Sequence, residues 1–177
     1  GLNSGATVIV AQTYGSGDHD TLSRVLHTSI VFCAIIGLVV TIAGYFAAPA
    51  LLRLIRNPED IMDSSVLYLR IYLVGAIPML LFNLFQGALQ AVGDSARPLR
   101  YLITSCLVNI VLDTVFVAVL GMGVAGVAYA TIASQAISAV LVTVALVKNK
   151  GFVHLEFKKL HIYLKTLKKI LRLGVPS

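Results

Sequence analysis

Charged residues vanish from long stretches of this chain. No Asp, Glu, Lys or Arg occurs between Arg24 and Arg53, or between Arg70 and Asp94. Over residues 101–147 the single exception is Asp113. A helix that crosses a bilayer needs about 20 mostly apolar residues. The first two windows each accommodate one such span. The third accommodates two, with GMGVAG at 121–126 as the turn between them. The pattern therefore predicts four spans, at 26–52, 63–92, 99–120 and 124–147.

The opening residues, GLNSGATVIVAQTYG, read as the closing part of an earlier helix. They lack the basic start, short apolar core and cleavage site of a signal peptide. LGVPS, at the other end, reads as a new helix opening. The expected fold class is all-α, a polytopic membrane helical bundle. Residues 1–147 form its transmembrane part and 148–177 a basic linker leading to the next helix. On this reading the chain is a piece of a longer polytopic protein, and its missing helices are among its partners.

Composition agrees with that class. Hydrophobic residues make up 58% and charged residues 12%, and the mean hydropathy is +0.89. A soluble domain is typically about 45–50% apolar and about 25% charged. Cys33 and Cys106 each fall inside an apolar run, without disulfide or metal spacing, and read as small buried hydrophobes. His19, His27, His154 and His161 are scattered, without a metal-ligand pair within a span.

The breaks between spans carry turn chemistry. YGSGDHD at 14–20 supplies Gly and Asp in their usual turn roles. In RNPED at 56–60, Pro58 biases Asn57 out of helical geometry. GDSARP at 93–98 places Pro98 at a helix start. Pro78 lies inside the second span and Pro49 near the end of the first. A proline there removes a backbone bond and kinks the helix, so Pro78 is the candidate hinge.

Basic residues orient the bundle. After Val147 come Lys148, Lys150, Lys158, Lys159, Lys165, Lys168, Lys169 and Arg172, against the single acid Glu156. The positive-inside rule places residues 148–172 in the cytoplasm of a multi-pass cell-membrane protein. Phe157, Leu160, Leu164, Leu167 and Leu171 recur at helical steps there, with lysines on the other face. This predicts an amphipathic helix on the inner surface, drawn to the lipid bilayer. Topology accounts for the net charge of +6, and no nucleic-acid motif accompanies it. The chain carries no nucleophile–base pair, phosphate-cradling glycine loop or HExxH, so no enzyme and no cofactor are expected.

The candidate chemistry centres on Asp113. A carboxylate inside the hydrocarbon costs at least about 2.5–3.5 kcal/mol on insertion scales. It escapes that cost by taking up a proton, since loss of water disfavours the charged form, or by facing polar groups or a cation. Either escape makes the site sensitive to ions or pH. Asn109 lies one turn earlier on the same helix face and offers a hard carbonyl oxygen. Thr131 and Ser134 lie on the next span, and Asn83, Gln86 and Gln90 on the preceding one. All of these are expected to converge on one polar cavity if the helices bundle, or else to serve as interhelical glue. Gly123, Gly126, Ala130 and Ser134 form a small-residue face on the fourth span, suited to close helix packing.

Four segments together resemble the multidrug and toxic-compound extrusion (MATE) family. They are VIVAQTYGSGD at 8–18, LYLRIYLVGAIPMLLFNLFQGALQAVGDSARPL at 67–99, LVNIVLDTVFVAVLGMGVAGVAYATIASQ at 107–135, and LRLGVPS at 171–177. The resemblance implies twelve helices in two six-helix lobes. This chain would then run from the end of the second helix to the start of the seventh, within the N-terminal lobe. It implies export of small organic, often cationic, substrates in exchange for Na⁺ or H⁺. It also implies coupling roles for Asp113, Asn109 and Thr131, with Na⁺ at Asp113 and Asn109, and a polar pocket containing Asn83 and Gln86. A further acid on the first helix belongs to that ion site and lies outside this chain. Two rivals stand beside the antiporter: a flippase for lipid-linked precursors, disfavoured by the lack of central basic residues, and a structural membrane bundle without transport.

Overall fold

The computed structural model describes residues 2–148, 158 and 160–175. Seven α-helices follow in order: α1 (Leu2–Gly15), α2 (His19–Leu54), α3 (Met62–Val74), α4 (Ala76–Ala91), α5 (Ala96–Asp113), α6 (Val124–Lys148) and α7 (Leu164–Gly174). A 3₁₀ turn, Glu59–Ile61, precedes α3, and a π-helical segment, Thr114–Val119, continues α5. Three helices are long and apolar enough to cross a membrane: α2, α5 with its π segment, and α6. Counted as one broken span, the bent pair α3–α4 makes a fourth among the described residues.

Local chemistry sets the boundaries. Gly17, Gly93, Gly121 and Gly123 all have positive φ and end or turn the chain between helices, a conformation that costs glycine little. Asp18 caps α2, its carboxylate accepting the Thr21 N–H at 3.1 Å. Asp94 plays a similar part before α5, accepting the Arg97 N–H at 3.1 Å and pairing with the Arg97 guanidinium at 2.7 Å.

The second span is broken rather than continuous. Its halves bend by 43° at Gly75. Pro78 explains the position, because it has no N–H for the Val74 carbonyl and its ring crowds that carbonyl. The Gly75 N–H turns instead to Tyr72, at 3.0 Å. From α2, Thr41 Oγ1 lies 2.8 Å from the Leu73 carbonyl and 2.8 Å from its own Gly37 carbonyl. A neighbouring hydroxyl thus serves a carbonyl at the break, as a spanning helix requires. A side chain at Gly75 would stand 2.9 Å from Ile132 Cγ1 and 3.2 Å from the Tyr72 carbonyl. The glycine lets the bend tuck against α6.

Packing is concentrated at one end of the bundle. The core joins Ala6, Ile9 and Val10 of α1, Leu22, Val25, Leu26, Ile30 and Cys33 of α2, Leu84, Phe85, Ala88 and Leu89 of α4, Val142 and Leu146 of α6, and Ile170 of α7. Along α5 only Pro98 is buried. The second half of α2 exposes Leu38, Val39, Ile42 and Phe46.

Several expectations change here. Helix α7 starts at Leu164, and Leu160 lies outside any helix, packed on the core. Phe157, also expected in that helix, and Lys150, His154, Glu156 and Lys159 lie outside the described residues. Part of the apolar face of α7 meets protein: Ile170 is buried, and the α7 backbone at Gly174 crosses α1 at Gly5 so closely that a Gly5 side chain would meet Gly174 N at 2.7 Å, while Leu164 at the helix start is exposed. Gly123 belongs to the turn and is exposed, so the small face of α6 runs through Gly126, Ala130 and Ser134. Cys106 is exposed, because α5 packs through one face and this residue lies on another.

Candidate functional site

Asp113 is the last residue of the 18-residue α5. At 1.5 Å per residue it stands roughly 25 Å from the helix start, past the middle of its span. The side chain is half-buried, and its Oδ1 is fully buried with no hydrogen-bond partner. Buried carboxylate oxygens are nearly always satisfied, and one inside an apolar span is costly. Such an oxygen is an open acceptor for a hydrogen-bond donor or a cation.

The helix changes geometry at this residue. Beyond Asp113 the chain widens into the six-residue π segment Thr114–Val119, and Leu120 N–H bonds back to the Val115 carbonyl at 2.9 Å. Short π segments inside α-helices occur frequently at functional sites. No residue pattern announces this one: VFVAV reads equally well as ordinary spanning helix.

Two contacts fix the antiparallel register of α5 against α6. Ser105 Oγ donates to the Ser134 carbonyl at 3.4 Å, and an added side chain at Gly126 would meet Phe116 Cβ at 3.2 Å. Interpolation puts Asn109 level with Thr131, and Asp113 nearly one turn further, level with Ala128. Asn109 and Thr131 are both half-buried. The Thr131 hydroxyl donates to the Val127 carbonyl of its own helix at 3.0 Å.

Asn83 and Gln86 sit elsewhere. They line a groove of about 490 Å³ between α4 and α1, with Ser4, Thr7, Val8, Gly87 and Gln90. Neither Asp113, Asn109 nor Thr131 lines it. The expected single polar cavity is thus replaced by two polar regions. The physical reason is azimuth: α4 turns Leu84, Phe85, Ala88 and Leu89 into the core, which directs Asn83 and Gln86 toward α1.

A third polar region brings together residues that sequence reading left scattered. Arg24, His27, Lys158, His161 and Tyr163, with Asp20 and Ser23, line a cavity of about 500 Å³ where α2 meets the segment before α7. Only the Arg24–His27 spacing on one helix face signals it in the sequence. At the opposite end, Arg70 Nε donates to the Tyr45 carbonyl at 3.0 Å and its guanidinium lies 4.4 Å from the Tyr45 ring centroid.

A bent, apolar helical bundle with several helices long enough to cross a bilayer defines a polytopic membrane protein. The MatE family model matches residues 1–115, and the chain belongs to that family. The chain is similar to the probable multidrug resistance protein YoeA of Bacillus subtilis, 33% identical over all of this chain and 40% of that protein. It is likewise similar to the probable multidrug resistance protein YpnP of the same organism, 30% identical over all of this chain and 39% of that protein. A crystal structure of a MATE protein in a bent conformation superposes with a TM-score of 0.92 at 30% identity, covering 99% of this chain and 39% of that one. The chain therefore spans about two fifths of the length of these relatives, and its all-α bundle corresponds to their N-terminal lobe.

Proposed function

We propose that this chain forms part of a secondary active transporter that exports organic, cationic compounds in exchange for Na⁺ or H⁺. The observation that carries the reading is the buried, partnerless Oδ1 of Asp113, the single charged residue of the run 101–147. Asp113 takes up the coupling ion, with Asn109 and Thr131 at neighbouring levels of the α5–α6 pair. Ion binding biases the bundle only if it differs between two arrangements. The π segment beside Asp113 and the Pro78 bend supply backbone that can differ between such arrangements, with Pro78 as the hinge. The α1–α4 groove with Asn83 and Gln86 belongs to the substrate cavity. The basic end with α7 faces the cytoplasm, consistent with the excess of Lys and Arg there.

Asp113→Asn, made in the complete reading frame, is the direct test. Ion-gradient-driven efflux of a fluorescent organic cation should fall at least about tenfold while membrane insertion is kept, as expected when an essential charged contact worth about 1.4 kcal/mol or more is lost. Efflux that is retained and still responds to the gradient removes Asp113 from the mechanism.

A further inference from the structure

The cavity at the packed end has no part in the reading above. Its position comes from α2. Arg24 is the last charged residue of that helix before Arg53, so the hydrocarbon begins just beyond it. The helix has 36 residues, about 54 Å at 1.5 Å per residue, against a hydrocarbon core of about 30 Å. Its first turns, with Asp20, Ser23, Arg24 and His27, therefore lie at headgroup depth.

The lining is cationic and rich in donors. Arg24 and Lys158 carry fixed positive charge, and Asp20 is the one carboxylate among the described lining residues. Among the described residues the one ion pair joins Arg97 to Asp94, so neither cation of this cavity is neutralised by a carboxylate in contact. Asp18, whose charge also reaches Arg24, is itself held by Thr21. The Arg24 guanidinium lies 5.5 Å from the Tyr163 ring centroid, and the His161 ring meets Tyr163 edge-on at 4.9 Å. His27 is 1% exposed. Its Nδ1 lies 2.6 Å from the Ser23 carbonyl, which can only accept, so Nδ1 carries the proton.

The walls are fixed to one another. The buried Thr28 hydroxyl lies 3.3 Å from the His161 carbonyl, to which it donates, and 3.3 Å from the Tyr163 N–H, which it accepts. The segment carrying His161 and Tyr163 is thus held to α2 from both directions. A volume of about 500 Å³ lies within the range of small-ligand sites, about 300–1,000 Å³.

We propose that this cavity binds a phosphate group, and that the anionic headgroup of a membrane lipid supplies it. Arg and Lys form the strongest hydrogen bonds of proteins with phosphate oxygens. Basic pockets between spanning helices are where anionic headgroups seat, and a tyrosine at headgroup depth suits the same interface. A bound headgroup bridges Arg24 on α2 to Lys158 on the connecting segment.

The test uses the protein expressed from its complete reading frame and purified in neutral detergent. Binding of short-chain phosphatidylglycerol, short-chain phosphatidylcholine and inorganic phosphate is measured by thermal shift and titration. Phosphatidylglycerol should bind, and Arg24→Gln and Lys158→Gln should each weaken it about tenfold, the loss of one charge-assisted contact. Lys165→Gln with Lys168→Gln, exposed on α7, should leave it unchanged. Inorganic phosphate binding with the same dependence on Arg24 and Lys158 keeps the phosphate site and assigns its occupant to the soluble phase. Equal binding of the two lipids, or equal losses in the α7 control, overturns the proposal. Lys158 is exposed, so Lys158→Gln keeps the test decisive if Arg24→Gln fails to fold.

Discussion

Asp18 stands outside the apolar spans, where the Thr21 hydroxyl and then the Thr21 N–H bond to its carboxylate and hold it below the usual carboxylate range. A depressed value in the folded state means that the cap helps α2 above the ordinary carboxyl range. Its contribution is lost as pH falls through the depressed value. Asp18→Ala should therefore speed hydrogen exchange at the Thr21 amide at neutral pH, and the difference from the unaltered chain should vanish in acid. An undiminished difference in acid contradicts the cap. Asp113 is the contrasting case: an acid within a span, with one buried oxygen and no partner. Its importance is legible from the sequence, because one charge in an otherwise uncharged run needs no structure to be noticed. Its unsatisfied oxygen is not legible, because that depends on which atoms of α6 and of the π segment fail to reach it. Nor is the placing of Asn83 and Gln86 beside Ser4 and Thr7 legible. Periodicity says which residues share a face, but not which helix that face meets.

The helices themselves follow from where charge is absent. The windows that end at Arg53, Asp94 and Lys148 recover α2, the α3–α4 pair, α5 and α6 to within about three residues, except that α2 starts seven residues earlier than the expected 26, at His19. The bend was expected at Pro78 and falls at Gly75, since a proline disturbs the turn before it. Pro78→Ala returns an N–H to the Val74 carbonyl and should reduce the 43° bend, measured as a longer spin-label distance between the free ends of α3 and α4. An unchanged distance assigns the bend to packing alone. Gly75→Val should lower stability by about 1–3 kcal/mol, the usual cost of overpacking, because the Tyr72 carbonyl at 3.2 Å is backbone and cannot swing aside. Thermal denaturation in detergent checks it. The late start of α7 was not legible, because Leu160 keeps the helical spacing while packing on the core outside any helix.

The molecule as a whole is tight at one end and open at the other. Helices α1, α2, α4, α6 and α7 share a core at the basic end, whereas α5 and the second half of α2 leave large apolar side chains exposed. That asymmetry suits a lobe whose closed end stays rigid while the region around Asp113 changes state. The Gly5–Gly174 crossing ties α7 into the rigid end. Gly5→Val, which brings a side chain against the Gly174 and Ile170 backbone at 2.7 Å, should detach α7 and raise the mobility of a spin label at Lys168; unchanged mobility places the hold elsewhere. The central claim is that the Asp113 carboxyl exchanges a proton or a cation. Infrared difference spectroscopy on the protein from its complete reading frame addresses it most directly. The account predicts a carboxyl band that shifts with pH or added Na⁺, disappears in Asp113→Asn, and persists in Asp63→Asn. Identical difference spectra for the unaltered protein and Asp113→Asn contradict it.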